Sequence, residues 1–485
     1  MKNTVFVFVC FIFLFGLVSA ANAQAPTGNW SSNIFCQNLD TDLPANIKLS
    51  FYPHGEAAAA LIYDDIIPAG GSKNYDTSEL DLPDDFLGAV VVNSTQAVVC
   101  TVNTQKAGTG SSESPYRIAA SSGTDETETA SSMYAPQVMK DYHEWNSYFA
   151  VQNTSETEIT VEVTYKDRAG NNVPEAAETA TIPSYSNTTF NQATNPGLPL
   201  EFVGAAKVTV TDPAEAKMTT VVNFYNNGTG SGTSQFHSYN GFSNGASKLY
   251  IPRVVRRFYG YNSGVTVQNV GDVDTSVTIT FNFAGESYTY NSGTIPQNVA
   301  LVLYLPDVSV LEPVDSLIVN YRFGNAVVEV DNPEGEIVAI VNEDNRGNAA
   351  DNDDKEIPGE RIGQGSTYSA IPAGSESQTL YFPQVPNNVD GVFSGGFYIS
   401  NVTGSAGVCD IYFYGAEGAN LDDVAIGANG SLSYYIPNIP NVPDGFNAGV
   451  RANCSVNVIG ILNFAAAPGS GKVGDSFTQN NGFNK

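Results

Sequence analysis

Histidine is nearly missing from this chain. Its 485 residues hold three, His54, His143 and His237, and none has a second His or a Cys at metal-ligand spacing. Positive charge is also scarce. Lys and Arg number 21 against 50 Asp and Glu, a net charge of −29. A polyanion is repelled by such a surface, which argues against nucleic acid or an anionic membrane as partner. No apolar run reaches the roughly 18 residues of a spanning helix, and no segment keeps a 3.6-residue apolar period, so neither a membrane span nor a helical fold is expected. Catalytic motifs are absent too. There is no G-x-S-x-G elbow and no H-E-x-x-H, and Gly469-Ser-Gly-Lys472 lacks the upstream Gly and following Ser/Thr of a P-loop. No catalytic residue and no organic cofactor is assigned, and the sequence reads as a non-enzyme.

Hydrophobic residues make up 42% of the chain and aromatics 11%, enough to build cores, while 45 Gly and 25 Pro supply many turns. Residues 1–23 read as a signal peptide. Lys2 opens it, Val5 to Val18 is apolar, and Ala21-Asn22-Ala23 is an A-x-A cleavage site that leaves Gln24 first. The expected location is extracellular or at the cell surface.

One unit then recurs four times. Trp30-Ser-Ser-Asn-Ile-Phe-Cys-Gln-Asn38 matches Trp145 to Asn153, Tyr261 to Asn269 and, more loosely, Phe393 to Asn401. Ile67-Pro68, Ile182-Pro183 and Ile295-Pro296 recur in step, with Ile426-Gly427 in the fourth copy. Within a unit the pattern has period two: Val161, Val163 and Tyr165 alternate with Thr160, Glu162 and Thr164. Turn residues every eight to twelve positions give about seven short strands per hundred residues. The expected fold is therefore all-β: four tandem immunoglobulin-like antiparallel β-sandwich domains after a cleaved signal peptide. Their boundaries are 24–130, 131–247, 248–378 (with an acidic insertion) and 379–485. Domains linked in this way are expected to form an extended rod.

Beyond the leader, Cys36 and Cys100 lie in the first unit and Cys409 and Cys454 in the fourth. An even count per unit in an exported chain reads as two intra-domain disulfides. Cys36–Cys100 is expected to pin one sheet to the other. The acidic insertion, with Asp351, Asp353 and Asp354, offers hard oxygen ligands for Ca²⁺, although it lacks the ordered ligands of an EF-hand, and a solvated loop is the better reading. Asp272 and Asp274 form a weaker candidate.

Aromatic side chains cluster just before the first repeated strand, Tyr142 with Trp145 and Tyr259 with Tyr261. Flat rings at loop edges can stack on sugar faces, which makes glycan binding the alternative function. A repeated aromatic is more simply a core or junction residue.

A Pro-centred segment, Met133-Tyr-Ala-Pro-Gln-Val138, returns at Leu249–Val254 and Leu380–Val385, placing Tyr134/Pro136, Tyr250/Pro252 and Tyr381/Pro383 in edge strands. Four units share only three such strands, and the place of a fourth falls inside the leader. One terminal domain should therefore expose an unfilled edge, the basis of an expected end-to-end self-association into a filament.

The segments Tyr134–Val138, Trp145-Asn-Ser, Val151-Gln-Asn153, Ser238–Phe242, Leu249–Val254 and Tyr261–Asn269 carry a resemblance. They are similar to tandem repeats of secreted surface proteins from filamentous environmental bacteria. The resemblance implies an extracellular, repetitive, structural or adhesive role and carries over no catalytic residue.

Overall fold

Alternating burial builds the strands. In Ile159–Asp167 the side chains of Val161, Val163 and Tyr165 are buried while Glu162 and Thr164 face water, the mark of a strand with one face on a core. The computed structural model describes residues 8–14 (as backbone), 30–106, 115–226, 234–346, 362–467, 470–472 and 474–485.

The order of elements repeats with the sequence. The first repeat holds β2 (Trp30–Asn38), β3 (Ala45–Pro53), β4 (Leu61–Ile67), β5 (Ser72–Asp76), β6 (Gly88–Ser94), β7 (Val98–Lys106) and β8 (Tyr116–Ser122), preceded by β1 (Phe8–Leu14). The second holds β9 (Ser132–Lys140), β10 (Trp145–Asn153), β11 (Ile159–Asp167), β12 (Glu178–Ile182), β13 (Asn187–Asn191), β14 (Phe202–Asp212), β15 (Met218–Asn226) and β16 (Phe236–Asn240). The third holds β17 (Lys248–Val255), β18 (Tyr261–Asn269), β19 (Val277–Phe283), β20 (Glu286–Asn291), β21 (Ala300–Tyr304), β22 (Phe323–Val330), β23 (Ile337–Asn345), β24 (Gly365–Ser369) and β25 (Ile371–Pro372). The fourth holds β26 (Ser377–Asn387), β27 (Phe393–Asn401), β28 (Gly407–Phe413), β29 (Leu421–Ile426), β30 (Ser431–Tyr435), β31 (Phe446–Ala466), β32 (Gly474–Asp475), β33 (Phe477–Asn481) and β34 (Phe483–Asn484).

Apart from the parallel pair β32–β8, these strands form antiparallel sheets in a sandwich-like all-β fold. In the second repeat the orders are β12-β11-β14-β9 and β13-β10-β15-β16; in the third, β20-β19-β22-β17-β25 and β21-β18-β23-β24. The fourth differs because β31 runs 21 residues through both layers. In the first, β1-β6-β3-β4 faces β5-β2-β7-β8. Thus β1 holds in its sheet the place that β9, β17 and β26 hold in theirs. Each Pro-centred strand belongs to the repeat that follows it, and β34 closes onto β26, so the first repeat is the one whose edge depends on residues before Gln24.

A buried amide explains the Asn that ends β2, β10, β18 and β27. Asn153 Nδ2 donates to the carbonyls of Thr157, Ile182 and Pro183, while its Oδ1 accepts from Ser155 N. Asn38, Asn269 and Asn401 make the same bridge to the Ile-Pro turn or its counterpart.

The expectation of a rod fails. Strand β8 packs beside β16, β16 beside β24, β24 beside β33, and β33 beside β8, so the four repeats close into a ring. Side chains lock it. Asn240 Nδ2 donates to Ser122 O (2.7 Å), Ser369 Oγ to Asn240 O (3.5 Å), Asn481 Nδ2 to Ser369 O (2.7 Å) and Ser122 Oγ to Asn480 Oδ1 (2.9 Å). The fully buried Asp475 accepts from Phe236 N and Gly365 N, and its strand β32 pairs with β8, so one residue ties the last repeat to the other three.

Both disulfides are present, Cys36–Cys100 and Cys409–Cys454. One expectation is corrected: Cys36 and Cys100 face each other on β2 and β7 of one sheet, so the bond staples neighbours within a layer and does not cross between layers. Cys409 and Cys454 do the same on β28 and β31. Among the described residues no helix is long and apolar enough to cross a membrane.

Candidate functional site

The Pro-centred strands lie where the ring is joined. Pro136 and Gln137 together stand opposite Ala205, Pro252 and Arg253 opposite Asn325, and Pro383 and Gln384 opposite Gly449, each a bulge in which proline's missing N–H breaks no ladder bond. The bulge turns the next side chain toward the neighbouring repeat. Gln137 Oε1 accepts from Thr266 Oγ1 and Asn342 Nδ2 of the third repeat. Arg253 lies 4.7 Å over the Tyr398 ring of the fourth, and Gln384 Oε1 accepts from Asn103 Nδ2 of the first. Of the interface residues expected from sequence, Tyr250 and Tyr381 are buried, and Tyr134 lies under the Lys207 ammonium.

Arg253 also makes a two-pronged ion pair with Glu343 (3.0 and 2.8 Å), and Gln479 Nε2 donates to the same carboxylate. Burial works to lower the Arg253 guanidinium, but the charge and hydrogen bond of Glu343 together with Tyr398 and Tyr368 outweigh it and hold the group above its ordinary value. This pair is sealed inside the protein.

An open cleft of about 740 Å³ lies between the second and third repeats. That is within the roughly 300–1,000 Å³ of small-molecule sites. Tyr142, His143 and Trp145 line it from one repeat, and Tyr290 and Tyr304 from the other. The lip of the second repeat is a two-residue hairpin turn. Tyr142 and Trp145 exchange backbone bonds of 3.0 and 2.9 Å, with His143 (φ 48°) and Glu144 (φ 69°) both left-handed between them. The equivalent turn of the third repeat uses Tyr259 and Gly260, so the second keeps a side chain where glycine would be relaxed.

Charge surrounds the rings. Arg168 Nη1 donates to Tyr142 Oη (3.1 Å), and Arg346 pairs with Asp344 (2.5 Å) while stacking 5.5 Å from the Tyr304 centroid. Asp307 completes the lining with a second carboxylate. The floor is a polar relay. Asn342 Nδ2 donates to Gln137 (3.1 Å), Thr367 Oγ1 donates to Asn342 Oδ1 (2.6 Å), and His237 Nδ1 meets Thr367 Oγ1 at 3.1 Å. Since the single hydroxyl proton of Thr367 goes to Asn342, His237 carries its proton on Nδ1. Burial, helped by the Arg346 charge, pushes the His237 pKa down to about 3, so the ring is neutral. Its Nε2 has no hydrogen-bond partner. Trp145 packs against this imidazole with centroids 5.0 Å apart.

The structure therefore brings Tyr142 and Trp145 into one cleft and leaves Tyr259 and Tyr261 out of it. Tyr261 is buried against Phe477, and Tyr259 bonds to Asn320 through its hydroxyl. Sequence reasoning missed Tyr290, Tyr304, Arg168 and Arg346, which come from other strands and loops. Asp351, Asp353 and Asp354 lie outside the described residues. Among those described, no three His, Cys, Asp or Glu residues cluster as a metal site, and Asp272 and Asp274 lie near Gln297 in an exposed loop.

The fold and cleft define a sandwich-like all-β protein stapled by two disulfides. No protein-family model matches the chain, and no curated protein matches it. Among solved structures it is similar to "Crystal Structure of Thermotoga maritima 1070", at 16% identity and a TM-score of 0.19, covering 24% of this chain and 91% of that one.

Proposed function

We propose that this chain is an exported, non-enzymatic component of a cell surface or extracellular matrix. In this reading signal peptide 1–23 is removed, and four immunoglobulin-like sandwiches close into a ring that adheres to polysaccharide through the cleft between the second and third repeats. The observation that carries the reading is the pairing of Tyr142 and Trp145 with Tyr290 and Tyr304 across one cleft that also holds Arg168, Arg346, Asp307 and Asp344. Half-exposed rings offer apolar faces to sugar C–H groups, and the guanidinium and carboxylate groups donate to and accept from hydroxyls. A neutral or mildly acidic glycan fits this mixture better than a strongly charged ligand.

A glycan array on the purified mature protein tests this. Saturable binding to a polysaccharide class is expected, weakened at least tenfold by Tyr304→Ala and by Trp145→Ala. No binding, or unchanged binding by both folded variants, overturns the reading. Tyr304→Ala guards against the loss of Trp145 acting through its contact with His237.

A further inference from the structure

In three repeats the strand that opens the sandwich, β9, β17 or β26, adds Met133/Ala135/Val138, Leu249/Ile251/Val254 or Leu380/Phe382/Val385 to its own buried core. In the first repeat that place beside β6 is taken by β1, antiparallel over seven residues from Phe8↔Ser94 to Leu14↔Gly88. β1 and β2 are separated by residues 15–29, and the A-x-A site Ala21-Asn22-Ala23 falls within that link. Cleavage there cuts the strand from the domain it completes.

We infer that removal of the leader opens on β6 a groove that accepts one extended, uncharged, largely apolar strand of about seven residues from a different polypeptide. The inference rests on the proposed export and processing, not on the glycan cleft.

The groove's chemistry sets the occupant. The acceptor strand Gly-Ala-Val-Val-Val-Asn-Ser carries no charge, and Val90 and Val92 are fully buried on its core side. The other edge of the same sheet, β4, carries Asp64 and Asp65, side chains that discourage strand pairing. Width is limited to a single strand because β1 also packs against β10 of the second repeat and against the turn at Glu126–Glu128 that leads into it, so a second copy cannot dock its own sheet edge there. Nor do the described strands of a folded second copy include one free to lend. Its β9, β17 and β26 fill their own sheets, and its β34 pairs with β26. The segments 107–114 and 227–233 are made of Gly, Ser, Thr, Ala, Asn and Glu, without an apolar run. Strand addition from a foreign chain makes backbone hydrogen bonds along β6 and seats alternate side chains on Val90 and Val92.

The test uses mature protein 24–485 and two fluorescent peptides, Met133–Met139 and Phe8–Leu14 with Cys10→Ser, each with lysines added only outside the seven residues. Saturable one-to-one binding is expected, with slowed amide exchange over Gly88–Ser94. A capped variant, with the Met133–Met139 sequence fused ahead of Trp30 through a link as long as residues 15–29, should bind at least tenfold more weakly. Equal binding by the capped variant, or none by the mature protein, overturns the groove. A doubled mass in light scattering that the cap abolishes would make the occupant a second copy and overturn the foreign-strand assignment. An exported protein whose first residue precedes Phe8, or that retains the leader fragment in native mass spectrometry, overturns it as well. Because Tyr304 stands on β21 of the third repeat, apart from β6 and β10, the glycan result of Tyr304→Ala and the peptide result fail separately.

Discussion

Asn38, Asn153, Asn269 and Asn401 illustrate why the repeat keeps an amide at the end of its first long strand. Each is buried and must donate to carbonyls of its own loop and of the turn it reaches, a task a carboxylate cannot perform. Replacing Asn153 with Asp puts an anion against those carbonyls, and replacing it with Ala leaves them without a donor. Asn153→Ala should lower the unfolding free energy by about 2–3 kcal/mol and Asn153→Asp by more, read from urea denaturation. The repetition of this residue was visible in the sequence; its reason was not, because its partners at Ile182 and Pro183 lie about thirty positions away.

At the scale of elements, the hairpin turn between β9 and β10 holds two non-glycine residues in the left-handed region at the lip of the cleft. Glu144→Gly removes that strain but loosens the unfolded chain. The two effects oppose, and relief should win by up to about 1 kcal/mol, measured as a small rise in melting temperature. Retention of side chains there, where the third repeat has Gly260, is the kind of strain kept at working sites.

The strands themselves were legible. Alternation in Ile159–Asp167 and the three Pro-centred segments depend on local patterns, and the structure reproduces both; the fourth place, expected to stand open, is filled by Phe8–Leu14. What alternation does not encode is which layer a strand joins, and so the Cys36–Cys100 bond was expected to cross the sandwich. The cleft was half legible. Tyr142 and Trp145 stand in a repeated motif, whereas Tyr290 and Tyr304 carry no signal until the third repeat is placed against the second.

The whole molecule was the least legible, because polar side chains close the ring. Ser122, Asn240, Ser369 and Asn480 read as surface residues in a sequence, yet they meet at the junction of four repeats. A closed assembly of this kind has an acid weakness. Neutral His237 lies within the ring, its pKa lowered to about 3, while an unfolded chain takes up that proton near pH 6.5. The unfolded state therefore binds more protons between these values. The stability is fully present above pH 6.5 and is lost as pH falls toward 3. Buried Asp475, whose pKa burial raises, contributes with the opposite sign, its share being lost as pH rises past the ordinary carboxylate value. The drop in melting temperature from pH 7 to pH 4.5 should accordingly shrink in His237→Gln, and should do so in an Asp475→Asn background as well, a control required because His237 Nε2 lies 4.0 Å from Asp475 Oδ2.

Ring closure also imposes an order of events on a chain made from its N-terminus. Thr101 finds its partner Asn480 only 379 residues later, and Asp125 waits 360 residues for Lys485. At synthesis rates of about 5–20 residues per second, the first sandwich is complete tens of seconds or so before the last emerges. During that interval the faces that will form its last joint stand in water; Ser122 and Asn103 tolerate this, whereas Tyr116 and Ile118, which end in the core of the fourth repeat, leave an apolar patch uncovered. The fourth repeat thus covers apolar as well as polar joint surface, with Phe477 packed on Val255 and Tyr261 of the third, and acts as the keystone.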